Sequence, residues 1–495
     1  MGETSDTHAR HTGWTNWARD QRCTPAAVCT PASIDQLAEA IVHAGTVQGP
    51  AAAGALAADT ADAGALAAGT VEGAVQGTAV AGALAAGRAD ATTPAGEHGM
   101  RVRVAGSGHS FSDIVCTDGL LVSLERMDRV LDVDRHSGLV RVQGGITIRA
   151  LNHALDAHGL ALENLGDVDA QTIAGAISTA THGTGARLRN IPSLLVELTL
   201  VLADGSTLVC SPQRDPEVFA AARVGLGALG AIAEVTLQCV PAFTLCGVDK
   251  PAPLRDTLER FHQLAHSNDH FEFFVFPHAN VALTRTNNRT DQPPRPRSRI
   301  NAYANDVLLT NHAFGLLCRA GRHYPALIPH INRLVTRLAG SSQRIEPSAA
   351  IFASPRLVRF TEMEYALPRQ HTPVAVERVM ELVRERRFAV PFPIEVRTVA
   401  PDQAMLSTAY GRDTGFVAVH MFDRMEWEPY FRAVEQIMDE LHGRPHWGKR
   451  HFQTAATLRP RYPQWDRFAA VRARLDPHGR FANAYTDRVL GPVDG

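Results

Sequence analysis

An alternating run, Met100 to Val104, reads as a β-strand and leads directly into Val104-Ala105-Gly106-Ser107-Gly108-His109-Ser110. Glycines at 106 and 108 permit positive φ and bring backbone N–H groups close to an anion, so the loop suits a pyrophosphate. A tight strand-to-loop turn would carry the same GxG, but His109 and Ser110 add groups that a bare turn does not need. A second segment, Gln171 to Gly185, contains Thr172, Ile173, Ala174, Gly175, Thr179 and His182 and is dense in hydroxyls and glycines. It suits close contact with a flat, polar cofactor, and equally a buried helix start followed by a glycine turn.

A literal GxGxxG occurs at Gly225, Gly227 and Gly230, yet a helix-like run, Pro216 to Arg223, precedes it and a strand follows. The dinucleotide fingerprint needs strand, glycines and helix in that order. This copy therefore reads as a tight helix-to-strand connection. Glu395 and Arg397 lie two apart in a β pattern, so both leave one face of a strand while Ile394 and Val396 leave the other. They are either a polar binding pair or an exposed salt-bridge row. His420 falls on the alternating Phe416-Ala418-His420 face of a later strand, where a satisfied core histidine is the competing reading. Lys449 follows Trp447-Gly448, a pair that allows close backbone approach to a ring; an ordinary surface lysine is the alternative.

Val104 to Phe111, Thr172 to Gly185, Glu395-Val396-Arg397-Thr398 and His446-Trp447-Gly448-Lys449 resemble, in order and spacing, the successive signatures of the FAD-linked aldonolactone oxidases of the vanillyl-alcohol-oxidase type. Phe271 to Phe276, Thr361 to Tyr365 and the tail from His446 to Gly491 extend the likeness to nearly the whole chain. The resemblance implies FAD, bound covalently through His109. It adds Gly166, Asp167 and Ile232 to the cofactor-binding set, with Gly166 flanking the flavin C4a edge. It gives Glu395, Arg397 and His420 to a sugar-lactone substrate, and Lys449 to the flavin locus where charge accumulates on reduction. The implied reaction is oxidation of L-gulono- or D-arabinono-1,4-lactone at C2, with electrons passing to dioxygen. A dehydrogenase using an electron carrier and an alditol oxidase are the alternatives, beside a flavin-binding protein without catalysis. Asp167 stands where the resembling alditol oxidases carry serine.

These residues need rigid elements behind them, and the pattern supplies two sets. Up to Val240 it predicts an α+β nucleotide-binding domain, which the resemblance implies is of the PCMH FAD-binding type, over 14–241. A helix is capped by Ser33 and Gln36, with Ile34, Leu37, Ala38, Ile41 and Val42 inward. Val130 to Val133 pairs with Val140 to Val142, a helix covers Ile148 to His158, Leu194 to Leu202 forms a hairpin with Thr207 to Cys210, and Ala231 to Val240 is a strand. Over 242–495 a substrate domain follows, with one antiparallel sheet covered by helices. Its elements include a helix from Leu254 to Leu264 and strands Phe271 to Phe276, Phe360 to Tyr365, Ile394 to Val399 and Phe416 to Met421. Thr284 to Ser298, rich in Asn, Arg and Pro, reads as a loop. About 46–98 is a low-complexity Ala/Gly insertion without aromatic residues.

At 495 residues the chain exceeds what one core usually supports. Its net charge of -2 leaves no basic field for nucleic acid. The seven cysteines are odd in number and scattered, without zinc spacing, so no metal site is expected and the thiols read as reduced. No apolar leader is visible in Met1 to Arg22, and no stretch would span a bilayer. The expectation is a cytoplasmic protein, with contact at a membrane surface left open.

Overall fold

In the computed structural model, residues 13–46, 99–295, 312–353 and 357–493 are described. The Ala/Gly insertion expected at 46–98 lies outside them from residue 47 onward. Two hydrophobic cores organise the chain. The first is built around a five-stranded antiparallel sheet in the order Thr207–Cys210, Leu195–Val201, Ala231–Gln238, Leu139–Gln143, Val130–Asp134. A three-stranded parallel sheet, Ala27–Cys29, Leu120–Ser123 and Val102–Ala105, stands beside it. The hairpin predicted between Val130 to Val133 and Val140 to Val142 forms, pairing Val130 with Val142 and Val133 with Val140. The Ile34–Thr46 helix buries Leu37, Ile41 and Ala44. Val42, expected inward with them, is instead 41% exposed, because it sits at the edge of the stripe beside the Asp204-Gly205 turn. Ser33 caps this helix, but Gln36 accepts from the Ala32 N–H rather than closing back on Ser33.

The second core lies under an eight-stranded antiparallel sheet. Its order is Ser342–Pro347, Thr244–Pro253, Val281–Thr290, His270–Val275, Ile394–Val399, Thr414–Phe422, Phe360–Pro368, Arg444–Pro445. Period-two alternation gives each central strand an apolar face and a chemical face. Phe271, Phe273, Ile394, Val396, Val417, Val419, Met363 and Tyr365 join the core with the helices Thr372–Glu385 and Glu428–Glu440. Glu272, Glu395, Arg397, His420, Glu362 and Glu364 occupy the alternate positions.

Two expectations need correction. The loop read over Thr284 to Ser298 is strand through Thr290, hydrogen-bonded to a neighbour on each side. Its Asn, Arg and Thr side chains serve the polar face of the sheet, so composition alone mislabelled a strand as a loop. The helix read over Leu254 to Leu264 is broken at Arg260 into Leu254–Glu259 and Phe261–Ser267.

The C-terminal tail returns to the first core: Trp447, Tyr462, Trp465, Phe481, Tyr485 and Val489 are buried within it. This return carries Lys449 to the His109 loop.

Candidate active site

The His109 loop is the floor of a cleft enclosing about 800 Å³, its mouth included. Val104, Ala105, Gly106, Ser107, Gly108, His109 and Ser110 line it, together with Thr172, Ala174, Gly175, Thr179 and Ile232. Gly108 has φ +69°, and a Cβ on Gly106 would come within 2.3 Å of Thr172 Oγ1. Backbone and hydroxyl are thus pressed together where only glycine fits. Ile173 is different: its side chain is buried in the first core and does not reach the cleft. Its own N–H donates to Ile146 O, which fixes the start of the Ile173–Ser178 helix.

Gly227 and Gly230 also line the cleft. Their segment is a helix-to-strand connection, as its order in the sequence implies. Arg103, buried, donates to Leu226 O, Gly227 O, Ile114 O and Phe481 O and so clamps that turn to the strand before the His109 loop.

The tail is sewn to the same loop. Phe111 N–H donates to Gly448 O at 2.7 Å, Ser112 Oγ to Trp447 O at 3.0 Å, and Tyr485 OH to Trp447 O at 2.8 Å. His109 stacks on Trp17 with ring centroids 5.6 Å apart. Burial, reinforced by the Lys449 charge, lowers its imidazole from the ordinary value to about 4. At neutral pH the ring is therefore uncharged and keeps a nucleophilic lone pair.

The two sheets meet through the hydroxyl-rich segment. Gly185 N–H donates to Thr398 O at 2.7 Å, and Thr184 Oγ1 donates to Phe271 O at 2.6 Å while accepting from Thr398 N–H. These bonds bring Asp167 and the first sheet's loops against the Ile394–Val399 strand. Arg397 Nη2 then lies 2.7 Å from Asp167 Oδ2, Nε lies 2.9 Å from Glu272 Oε2, and Glu395 pairs with the same guanidinium. Burial alone would lower the Arg397 pKa; Asp167, Glu395 and Glu272 together hold it well above its ordinary value. Glu272 is also bridged by Arg285, its directly opposed partner on the next strand.

His420 faces Glu362, its cross-strand partner, at 3.6 Å and Glu395 at 3.9 Å through Nε2. Its Nδ1 lies 3.0 Å from Pro393 O, an atom that only accepts, so Nδ1 carries the proton. Lys449 Nζ donates to Glu362 Oε2 at 2.5 Å and sits 5.0 Å from the Phe111 ring centroid. Glu395, Arg397, His420 and Lys449 are thereby joined in one network.

His182 lies behind this network. It is stacked on Phe416 at 3.6 Å, with Nε2 3.2 Å from Glu364 Oε1. Burial works to raise the Glu364 pKa, but His182, His446 and Lys449 hold it far below the usual carboxylate range. His182, Glu364 and His446 place ligand-capable atoms within 4.8 Å of one another. Two ring nitrogens of that group are committed, since His182 Nδ1 donates to Gly183 O and His446 Nδ1 accepts from Gly448 N–H. Gly166 sits beside His182, whose carbonyl would be 3.0 Å from a Cβ placed there.

Glu272, Glu362, Glu364 and Arg285 were not singled out from sequence. Their signal was present: an acidic residue inside an aromatic run, His270 to Phe276, and two carboxylates two apart in the otherwise apolar Phe360 to Leu367.

Residues 235–489 match the D-arabinono-1,4-lactone oxidase family, and residues 86–211 match an FAD binding domain. The chain belongs to the aldonolactone oxidase family. It is 48% identical to an L-gulono-1,4-lactone dehydrogenase of Mycobacterium tuberculosis over 97% of this chain and 99% of that one. It is 35% identical to an L-gulonolactone oxidase of Bos taurus over 80% and 91%. Among solved structures, cholesterol oxidase from B. sterolicum shares the fold, with a TM-score of 0.73 at 17% identity over 97% of this chain and 96% of that one. This member of the aldonolactone oxidase family is an FAD-dependent oxidoreductase. The glycine cradle, the hydroxyls of Thr172 and Thr179 that line it and the uncharged His109 fit that cofactor. No helix among the described residues is long and apolar enough to cross a membrane.

Proposed function

We propose that the chain oxidises an aldono-1,4-lactone, L-gulono- or D-arabinono-1,4-lactone, at its C2 carbinol. The observation that carries this reading is the Arg397 guanidinium held among Asp167, Glu272 and Glu395 beside His420, on the sheet face joined to the FAD module. Arg397 offers a planar fork to the lactone oxygens, and the Glu395 carboxylate accepts hydrogen bonds from substrate hydroxyls. His420, with its proton pinned at Nδ1 by Pro393 O, takes the C2 hydroxyl proton at Nε2. The imidazolium that forms is stabilised by Glu362 and Glu395. Bound FAD would supply the acceptor for the C2 hydride. The 2-keto lactone released tautomerises to an ene-diol of the ascorbate type. Lys449 supplies positive charge on the cofactor side, and His109 is assigned the covalent link to FAD.

Dioxygen is the proposed oxidant, because Gly166 leaves no Cβ on the approach. The dehydrogenase name of the 48% identical relative favours the second reading, an electron carrier. A cytoplasmic setting belongs to the same proposal. The test is anaerobic mixing of the FAD-loaded protein with a panel of lactones and alditols, followed by loss of flavin absorbance. Lactones are expected to bleach the flavin; bleaching by alditols alone would overturn the substrate assignment.

A further inference from the structure

The helices Phe314–His323 and Ile328–Leu338 are turned inside out. On the second helix the buried positions are Ile328, Asn332 and Thr336, and Asn332 Nδ2 donates to Pro277 O and Val390 O at 3.0 Å each. The opposite stripe carries Leu327, Leu334 and Leu338, exposed by 46%, 49% and 75%, continued by Tyr324 at 67%. Leu316, at 62%, adds to it from the first helix. Five of the ten exposed large hydrophobic side chains among the described residues therefore fall in this helix pair and the turn that joins it.

Charge is distributed as unevenly. Phe314 to Gly340 contains Arg319, Arg322, Arg333 and Arg337 and no acidic residue, in a chain whose net charge is -2. Arg333 and Arg337 are each adjacent to an exposed leucine, an arrangement in which arginine stems lie along apolar groups while the guanidinium reaches outward. A second copy of the same face would set arginines against arginines. An anionic, apolar-backed surface satisfies both properties at once.

We propose that this helix pair is a docking face for an anionic lipid surface, with the leucine stripe entering the acyl boundary and the exposed Arg319, Arg333 and Arg337 meeting phosphate headgroups, while Arg322 is turned inward to Asp423 O and the Phe422 ring. The face stands close to the substrate site. Phe314 contacts Phe392 at 5.0 Å between ring centroids, and Phe392 contacts His420 at 6.0 Å. Docking would hold the His420 wall of the site at the membrane surface.

The test is flotation of the full FAD-loaded chain with phosphatidylcholine vesicles, with and without phosphatidylglycerol, at low and high salt. Binding is expected to be about tenfold or more tighter to the anionic vesicles and to be lost in high salt. Leu334→Ser with Leu338→Ser should weaken it by about tenfold or more, and Arg333→Gln or Arg337→Gln by about fivefold each. All these variants should keep FAD content and turnover on a soluble lactone, which separates loss of docking from misfolding. Absence of binding to either vesicle, or equal binding to both, would overturn the proposal. So would self-association that the leucine changes abolish while vesicle binding stays absent, which would assign the face to a second copy.

Discussion

Arg397 Nη2 lies 2.7 Å from Asp167 Oδ2, an ion pair that ties the central strand of the large sheet to a loop of the FAD module. Two residues far apart in sequence are thus brought together at the candidate site. The same guanidinium also serves Glu272 and Glu395.

Arg397→Lys is therefore expected to be damaging although the charge is kept. A point ammonium cannot satisfy three carboxylates and also present a fork to substrate. Loss of about 3–4 kcal/mol in the transition state corresponds to roughly two to three decades in kcat. Steady-state kinetics at matched flavin content would measure it. Turnover like that of the unaltered protein would place Arg397 outside the chemistry.

His109→Ala is expected to release the flavin. Acid-precipitated native protein should stay yellow, whereas the variant should leave its flavin in the supernatant. The uncharged imidazole, lowered to about 4, is the form that can make the bond. Complete loss of flavin from the native protein on acid precipitation would reduce His109 to a positioning role.

Acid should destabilise the apoprotein before carboxylates titrate. Burial lowers His109 and His270 to about 4 and His446 to about 3, against an ordinary value of 6.5. Between about pH 6.5 and 4 the unfolded chain takes up protons that the folded chain does not. Stability is then full above 6.5 and falls as pH drops through that window, by at most about 1.4 kcal/mol per pH unit for each group. Thermal midpoints measured from pH 7 to 4.5 should fall, and His270→Gln should make the fall shallower. A flat profile would contradict the assignment.

Gly166→Ala places a methyl 3.0 Å from His182 O and on the proposed approach of dioxygen. Reoxidation of the reduced protein in air should slow by roughly tenfold, about 1.4 kcal/mol, with anaerobic reduction by lactone nearly unchanged. Stopped-flow absorbance separates the two half-reactions. If reduced native protein persists in air but is oxidised quickly by cytochrome c, the carrier reading replaces dioxygen.

Deleting Val47 to Glu97 with a short joining turn should leave FAD content and turnover intact. The flanks already meet, since Met100 N–H donates to Ala44 O at 2.8 Å, so closing them strains nothing. Insoluble or flavin-free product would show that the insertion supports the domain.

By itself the sequence determined the local chemistry: the glycines at 106 and 108, the His109 that follows them, and the single face shared by Glu395 and Arg397. Each of these follows from backbone sterics or from the period of a strand, which act over a few residues. The order Pro216 to Arg223, glycines, strand likewise settled that Gly225 to Gly230 is no Rossmann turn. The partners of those groups were decided only by tertiary structure. Glu272, Glu362 and Glu364 enter the site because their strands are neighbours in the sheet, and Asp167 reaches Arg397 because Thr184 and Gly185 bond across to Thr398. The strand Val281–Thr290 was illegible for the same reason: polar side chains signal a loop until a ladder on each side shows what they face. Strand order and inter-sheet bonds are long-range choices made by burial of both cores together, and no window of sequence contains them.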